Sequence, residues 1–171
     1  MRIVGFVVLV LFSFFINAQE NAFLKINNTE YSLDYPSSWS KNEAKIEGFK
    51  FFLFTKLTSE SDKFRDNINL IVQDLSGYDF SLEDYAELSE TQIKTLVTNA
   101  HILESAQHKN ENGVFYKMIY TGKQGVFDLK FEQYYWLVNK KAYVLTLTCE
   151  ERQFLKFKKE GEFILDSFTI H

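Results

Sequence analysis

Cys149 is the one thiol in this 171-residue chain, and it closes the run KAYVLTLTC, where Tyr143, Leu145 and Leu147 share its side of a strand. Thiolate chemistry needs exposure and a positive neighbour. Here the neighbours are an apolar face and two following carboxylates, Glu150 and Glu151, so Cys149 reads as an inert structural residue. Neither C-x-x-C nor G-x-S-x-G occurs, so the local signatures of dithiol redox proteins and serine hydrolases are missing. His101, His108 and His171 lack the close spacing of a helical zinc motif. Glu83, Glu87 and Glu90 fall on one side of a helix without the glycine and spaced oxygens of a calcium loop, so they read as a solvated face. Gly122 and Gly125 belong to a turn, and Asn27-Asn28-Thr29 is a sequon that matters only in a glycosylating host. The residues therefore predict no catalytic group, no metal and no cofactor.

Aromatic residues offer more. Tyr134 and Trp136 interrupt the charged side of FDLKFEQYYWLVN, opposite Phe127, Leu129, Phe131, Tyr135 and Leu137. Such rings are enriched at binding surfaces, which makes the pair candidates for contact with a partner. The competing reading is that the last helix covers them, because that helix needs an apolar landing site. In YSLDYPSSWS, Tyr31, Leu33 and Tyr35 alternate with polar residues, so the run predicts a strand with one buried face. Pro36, the only proline, ends it by removing a ladder donor. Trp39 then reads as a packing anchor whose ring folds back over the sheet edge.

The elements that hold these residues are strands, one long helix, more strands and a final helix. FKFFLFTKL (49 to 57) is aromatic-rich with weak alternation, and NINLIV alternates cleanly; both predict strands, with a polar loop between them. In GYDFSLEDYAELSETQIKTLVTNA, Ser81 and Asp84 approximate a capping box, and Phe80 and Tyr85 a hydrophobic staple. Leu82, Tyr85, Ala86, Ser89, Ile93, Leu96 and Val97 form the helix's covered stripe. GVFYKMIYTG, FDLKFEQYYWLVN and KAYVLTLTC read as an antiparallel meander. The closing segment places Phe154, Phe157, Ile164, Leu165 and Phe168 on one helical stripe. Helices on both faces of the sheet are expected.

Arg2 followed by the apolar run from Ile3 to Phe15 and by Ile16-Asn17-Ala18 reads as a signal peptide cut after Ala18. That run is shorter than the roughly 20 residues that span a bilayer. The mature chain, Gln19 to His171, is then one domain of 153 residues without a membrane span. Eighteen basic side chains face 23 acidic ones once Arg2 is gone, and no basic cluster argues for nucleic acid. A single cysteine forms no internal disulfide, so stability rests on a core that can draw on the phenylalanines beyond Ala18, 14 of the chain's 18.

Taken in order, YSLDYPSSW, SLEDYAELSETQI, the aromatic hairpins ending KAYVLTLTC, and ILDSF resemble the PsbP-like superfamily, which includes bacterial periplasmic DcrB proteins and the extrinsic PsbP subunit of photosystem II. The resemblance covers nearly the whole mature chain. It implies an α+β fold, an antiparallel sheet sandwiched by helices, in proteins that act as accessory or binding factors. It carries over no catalytic residue, and no ligand motif here matches the metal sites of photosynthetic members. The expectation is an exported, non-catalytic accessory protein of the envelope or exterior whose partner is another envelope or exported protein. A carrier of a small apolar ligand and an exported hydrolase are the alternatives.

Overall fold

A computed structural model describes residues 22–43 and 45–171; the expected leader, residues 1–18, lies outside them. Among the described residues the order is β1 Phe23–Asn27, β2 Tyr31–Pro36, β3 Ser40–Glu43, β4 Phe49–Phe54, β5 Asn67–Asp74, α1 Leu82–Leu96, β6 Thr98–Asn110, β7 Gly113–Gln124, β8 Phe127–Val138, β9 Lys141–Glu150, α2 Phe154–Asp166 and β10 Thr169–Ile170. A large antiparallel sheet has the order β3-β4-β5-β9-β8-β7-β6, and a small one the order β1-β2-β10. The fold is α+β, with α1 on one face of the large sheet and α2 with the small sheet on the other.

Turn chemistry sets the meander from β6 to β9. Asn139 and Lys140 have φ of 51° and 57°, the pair of left-handed residues that matches a tight hairpin to strand twist. The α1 helix starts where the capping residues place it. Ser81 Oγ accepts from the Asp84 amide at 3.1 Å, and Asp84 Oδ2 accepts from the Ser81 amide at 3.0 Å. Phe80 meets Tyr85 edge-on, with ring centroids 6.4 Å apart. The helix stops at Leu96, because β-branched Val97 turns extended (φ −93°, ψ 120°) and Thr98 begins β6. Leu96, expected on the covered stripe, is consequently 77% exposed.

On the other face, α2 comes so close to β9 that a Cβ on Gly161 would lie 2.5 Å from Leu147 Cδ2; the glycine is there for the approach. The helix ends at Asp166, so Phe168 does not share its stripe as the sequence suggests. Ser167 Oγ donates to Ile164 O and accepts from the Asp34 amide, tying the helix end to β2. Phe168 drops into the core, 1% exposed, against Trp136 (5.0 Å), Tyr31 (5.7 Å) and Tyr143 (6.3 Å).

Pro36 is the last residue of β2, and its carbonyl accepts from the Trp39 amide at 3.0 Å. This turn carries the chain from the small sheet to the large one. Trp39, 3% exposed, lies against α2 rather than over the sheet edge: its ring meets Phe157 edge-on at 6.3 Å, and Nε1 donates to Glu160 Oε2 at 2.9 Å.

Candidate functional site

The sequence candidates for contact, Tyr134 and Trp136, are 3% and 5% exposed and offer no surface. Strand parity points both toward α2, where Phe115 stacks on Tyr134 at 4.3 Å and Phe168 closes over Trp136. Nearby, Lys117 Nζ stands 2.7 Å from fully buried Glu132, off the hydrogen-bonding direction, and 3.6 Å from Glu162 of α2. Burial raises the Glu132 carboxyl, but the group is closed to any substrate.

Cys149 is buried and free, and it shares its face with Tyr143, Leu145 and Leu147. Burial pushes its thiol up, and so does Asp66, a neighbour that sequence distance hides. Asp66 is 1% exposed; its Oδ1 accepts from the Glu150 amide at 2.9 Å and its Oδ2 has no partner. Burial holds its carboxyl at about 6. Asp62, four residues earlier, is pulled down to about 2, first by the Thr58 amide at 2.9 Å and further by the Thr58 hydroxyl and the Phe64 amide. Asp62 organises the loop before β5, and Asp66 stands beside the thiol. His108 pairs with Glu104 at 2.7 Å, and Glu90 with Lys94 and Ser105. Among the described residues no three His, Cys, Asp or Glu side chains converge as metal ligands.

What remains open is half of the α1 face of the large sheet. The α1 helix lies mainly over β6, β7 and β8 and reaches β5 only at Ile71 and Gln73, which leaves the half-buried Phe49, Phe52 and Phe54 of β4 outside its cover. In β4 a bulge at Lys50, between the pairs Phe49–Ile71 and Phe51–Leu70, resets the alternation. Phe51 and Leu53 point into the α2-side core, while Phe49, Phe52 and Phe54 all share the open face, half-buried. Their rings form a stacked ladder: Phe49 on Phe52 at 5.1 Å and Phe52 on Phe54 at 5.7 Å, with nearly parallel planes, and the Arg65 guanidinium 5.3 Å from the Phe54 ring.

Cross-strand register sets what flanks the ladder, since directly paired residues point the same way. One row reads Ser40, Phe54, Asn67, Thr148, Phe131; the next Asn42, Phe52, Asn69, Thr146, Gln133; a third Phe49, Ile71, Val144, Tyr135. No residue of these rows carries a formal charge, although a quarter of the chain is charged. Tyr135 OH donates to Gln133 Oε1, and Gln133 Nε2 donates to Thr146 Oγ1 at 3.1 Å, so that amide is held in place. Where the strip meets α1, a cleft of about 150 Å³ has a mixed lining, aliphatic at Ile71, Ile93 and Val144 and polar at Gln73, Ser89 and Gln133 among others. Tyr85 donates to Gln73 at 2.5 Å, and burial raises its hydroxyl to about 12, so the face stays neutral at ordinary pH.

The side chains of these rows are rings, aliphatic groups, amides and hydroxyls, which can pack and hydrogen-bond. The sequence hid this face because the bulge breaks the period-two pattern that marks a strand face. Gly48, at φ 82°, and the weak alternation of FKFFLF were the available signals.

Comparisons with known proteins fit this fold. Comparison with curated protein sequences finds no match. Among solved structures, cyanobacterial PsbP (CyanoP) from Synechocystis superposes with a TM-score of 0.65 at 14% identity, over 91% of this chain and 96% of that one. LpqN, involved in cell envelope biogenesis of Mycobacterium tuberculosis, gives 0.62 at 9% identity, over 93% and 97%. PA94, a protein of unknown function from Pseudomonas aeruginosa, gives 0.59 at 12% identity, over 85% and 94%. The PsbP family model matches residues 21–170, and the chain belongs to the PsbP family.

Proposed function

We propose that this chain is an exported, non-catalytic accessory protein of the cell envelope that works by binding another envelope or exported component. The observation that carries the reading is the uncovered strip around Phe49, Phe52 and Phe54, half-buried rings on a sheet braced from behind by a filled core. Apolar area held on a rigid element binds without an ordering cost. Export rests on the leader pattern, with cleavage after Ala18 and residues 19–171 as the mature domain. No helix among the described residues is long and apolar enough to cross a membrane. The envelope setting draws support from the likeness to LpqN. A non-catalytic role is supported by Asp66 and Cys149, the groups with the most reactive composition, standing at 1% and 0% exposure.

One observation favours a second reading, a carrier of a small apolar ligand. A cleft of about 320 Å³ is lined by Phe23, Pro36, Lys159, Glu160 and Phe163, with Phe23 57% exposed. Solvent extraction of freshly purified protein tests it, and an empty extract removes it.

The binding reading is tested by affinity capture from the native envelope fraction with the mature chain and with a Phe52→Ser, Phe54→Ser variant. Capture by the first and loss with the second is expected. Equal capture by both overturns the assignment to this strip.

A further inference from the structure

We infer that two copies of this chain join edge to edge along the second half of β6, extending the large sheet across a two-fold axis at Ala106. β6 is the last strand of that sheet, and among the described residues no strand pairs with its outer side. Asn110 and Gly113 face each other across a two-residue turn, as the hydrogen-bonded pair that closes a tight hairpin. Antiparallel bonding alternates from there, so His108, Ala106 and Glu104 exchange backbone bonds with β7. Ser105, Gln107 and Lys109 turn their N–H and C=O groups outward.

Sheet edges are ordinarily blunted by shortness, charge or bulges. The opposite edge of the large sheet, β3, has four residues, two of them charged. The first half of β6 is broken by register shifts between Thr98 and His101 and between Ile102 and Glu104. From Glu104 to Asn110 the pairing is unbroken. Gln107, His108 and Lys109 are exposed there, and Ser105 and Ala106 half-buried. This half of the strand is straight, accessible and unpaired.

A second copy is the occupant because β6 is complementary to itself. Outward residues must meet outward residues. Ser105 placed opposite the second copy's Gln107 satisfies this, and symmetry repeats it at Gln107 and Ser105. Ala106 then meets Ala106 on the axis, and Glu104 stands opposite His108 in both directions. Residues at such non-hydrogen-bonded positions come within about 4.5 Å at Cα, an approach that the alanine methyl allows. Within each copy Glu104 and His108 are already 2.7 Å apart, so the pairing closes a ring of two carboxylates and two imidazoles. Sliding the register by two residues puts Glu104 opposite Ala106 or Asn110 and loses the ring. Sliding it by four sets Glu104 against Glu104 or His108 against His108. A foreign strand would have to bring the matching pattern, whereas β6 carries both halves.

Directly paired residues point to the same face, so the α1 helices and the open strips of both copies lie on one side of the joined sheet. The pairing itself does not depend on what those strips bind. A seam of five residues is roughly 17 Å long, small for an interface, so the dimer is weak and depends on concentration.

Sedimentation velocity of the mature chain between about 10 μM and about 1 mM is expected to show a monomer–dimer equilibrium. Gln107→Pro removes only an outward N–H, which a sheet edge tolerates, and should weaken dimerisation at least about tenfold with the circular dichroism unchanged. Glu104→Lys and His108→Glu should each weaken it, and the double variant should restore it. Ala106→Cys, at the axis, should oxidise to a disulfide-linked dimer, while Lys109→Cys, exposed on the same strand, should not; this readout uses variants that leave the β7 pairing intact. A monomer throughout the range overturns the inference, as do a folded Gln107→Pro variant that dimerises like wild type and equal crosslinking from positions 106 and 109. A dimer lost on Phe52→Ala and kept by Gln107→Pro overturns it too, and assigns self-association to the open strip.

Discussion

Replacing Asp66 by asparagine should stabilise this protein at alkaline pH and leave it unchanged in acid. Burial lifts the Asp66 carboxyl from an ordinary 3.8 to about 6. Because the folded-state value is the higher one, the folded chain holds its proton more tightly than the unfolded chain. Stability from this group is complete below about 3.8 and is lost as pH rises through about 6. Two units at about 1.4 kcal/mol each set a ceiling of about 3 kcal/mol at pH 8. An asparagine keeps an acceptor for the Glu150 amide, 2.9 Å away, and puts a donor where Oδ2 has no partner. Urea denaturation of both proteins across this pH range measures the difference. A gain of about 1–3 kcal/mol at pH 8 that vanishes below pH 4 is expected. A pH-independent offset, or a variant less stable than wild type at pH 8, would refute the assignment of the shift to burial.

Three further outcomes follow from packing. Trp39→Ala should cost about 3–5 kcal/mol, as for other buried aromatics, and Trp39→Phe about 1 kcal/mol for the bond to Glu160; equal denaturation midpoints would show that the ring is not an anchor. Gly161→Ala should cost about 1–3 kcal/mol, since the added methyl meets Leu147 at 2.5 Å, and an unchanged midpoint would mean that α2 shifts freely. Cys149 should resist iodoacetamide at pH 8 until denaturant is added; labelling of the native protein at the rate of a free thiol would contradict its burial.

How far the sequence reveals this molecule depends on how local each signal is. The α1 start is legible because Ser81, Asp84, Phe80 and Tyr85 interact within one turn. The meander is legible because its turns and alternation are local too. Four strands are not: β3 is SKNE, fully exposed, and carries no apolar period; β1 has one buried residue, Ile26; β6 mixes exposed and half-buried residues across two register shifts; and β10, two residues long, lies inside the segment read as the last helix. Each is a strand because a partner strand supplies its hydrogen bonds, which composition does not record. The same limit hid the candidate site. Its rows join residues from five strands, and its ladder exists only because one bulge at Lys50 turns Phe52 and Phe54 to the side of Phe49. The sequence offers Tyr134 and Trp136 as contact candidates while favouring their cover by the last helix; the remaining cover, by Phe115 and Phe168, comes from other segments.

The central claim, that the protein works by binding through the uncovered half of its large sheet, is tested most directly by site-specific photocrosslinking in intact cells. A benzophenone side chain is placed at Phe52, and in a matched control at Leu155, 84% exposed on the opposite layer. A discrete adduct from position 52 and none from position 155 is expected. Adducts of equal yield from both positions, or from 155 alone, would contradict it.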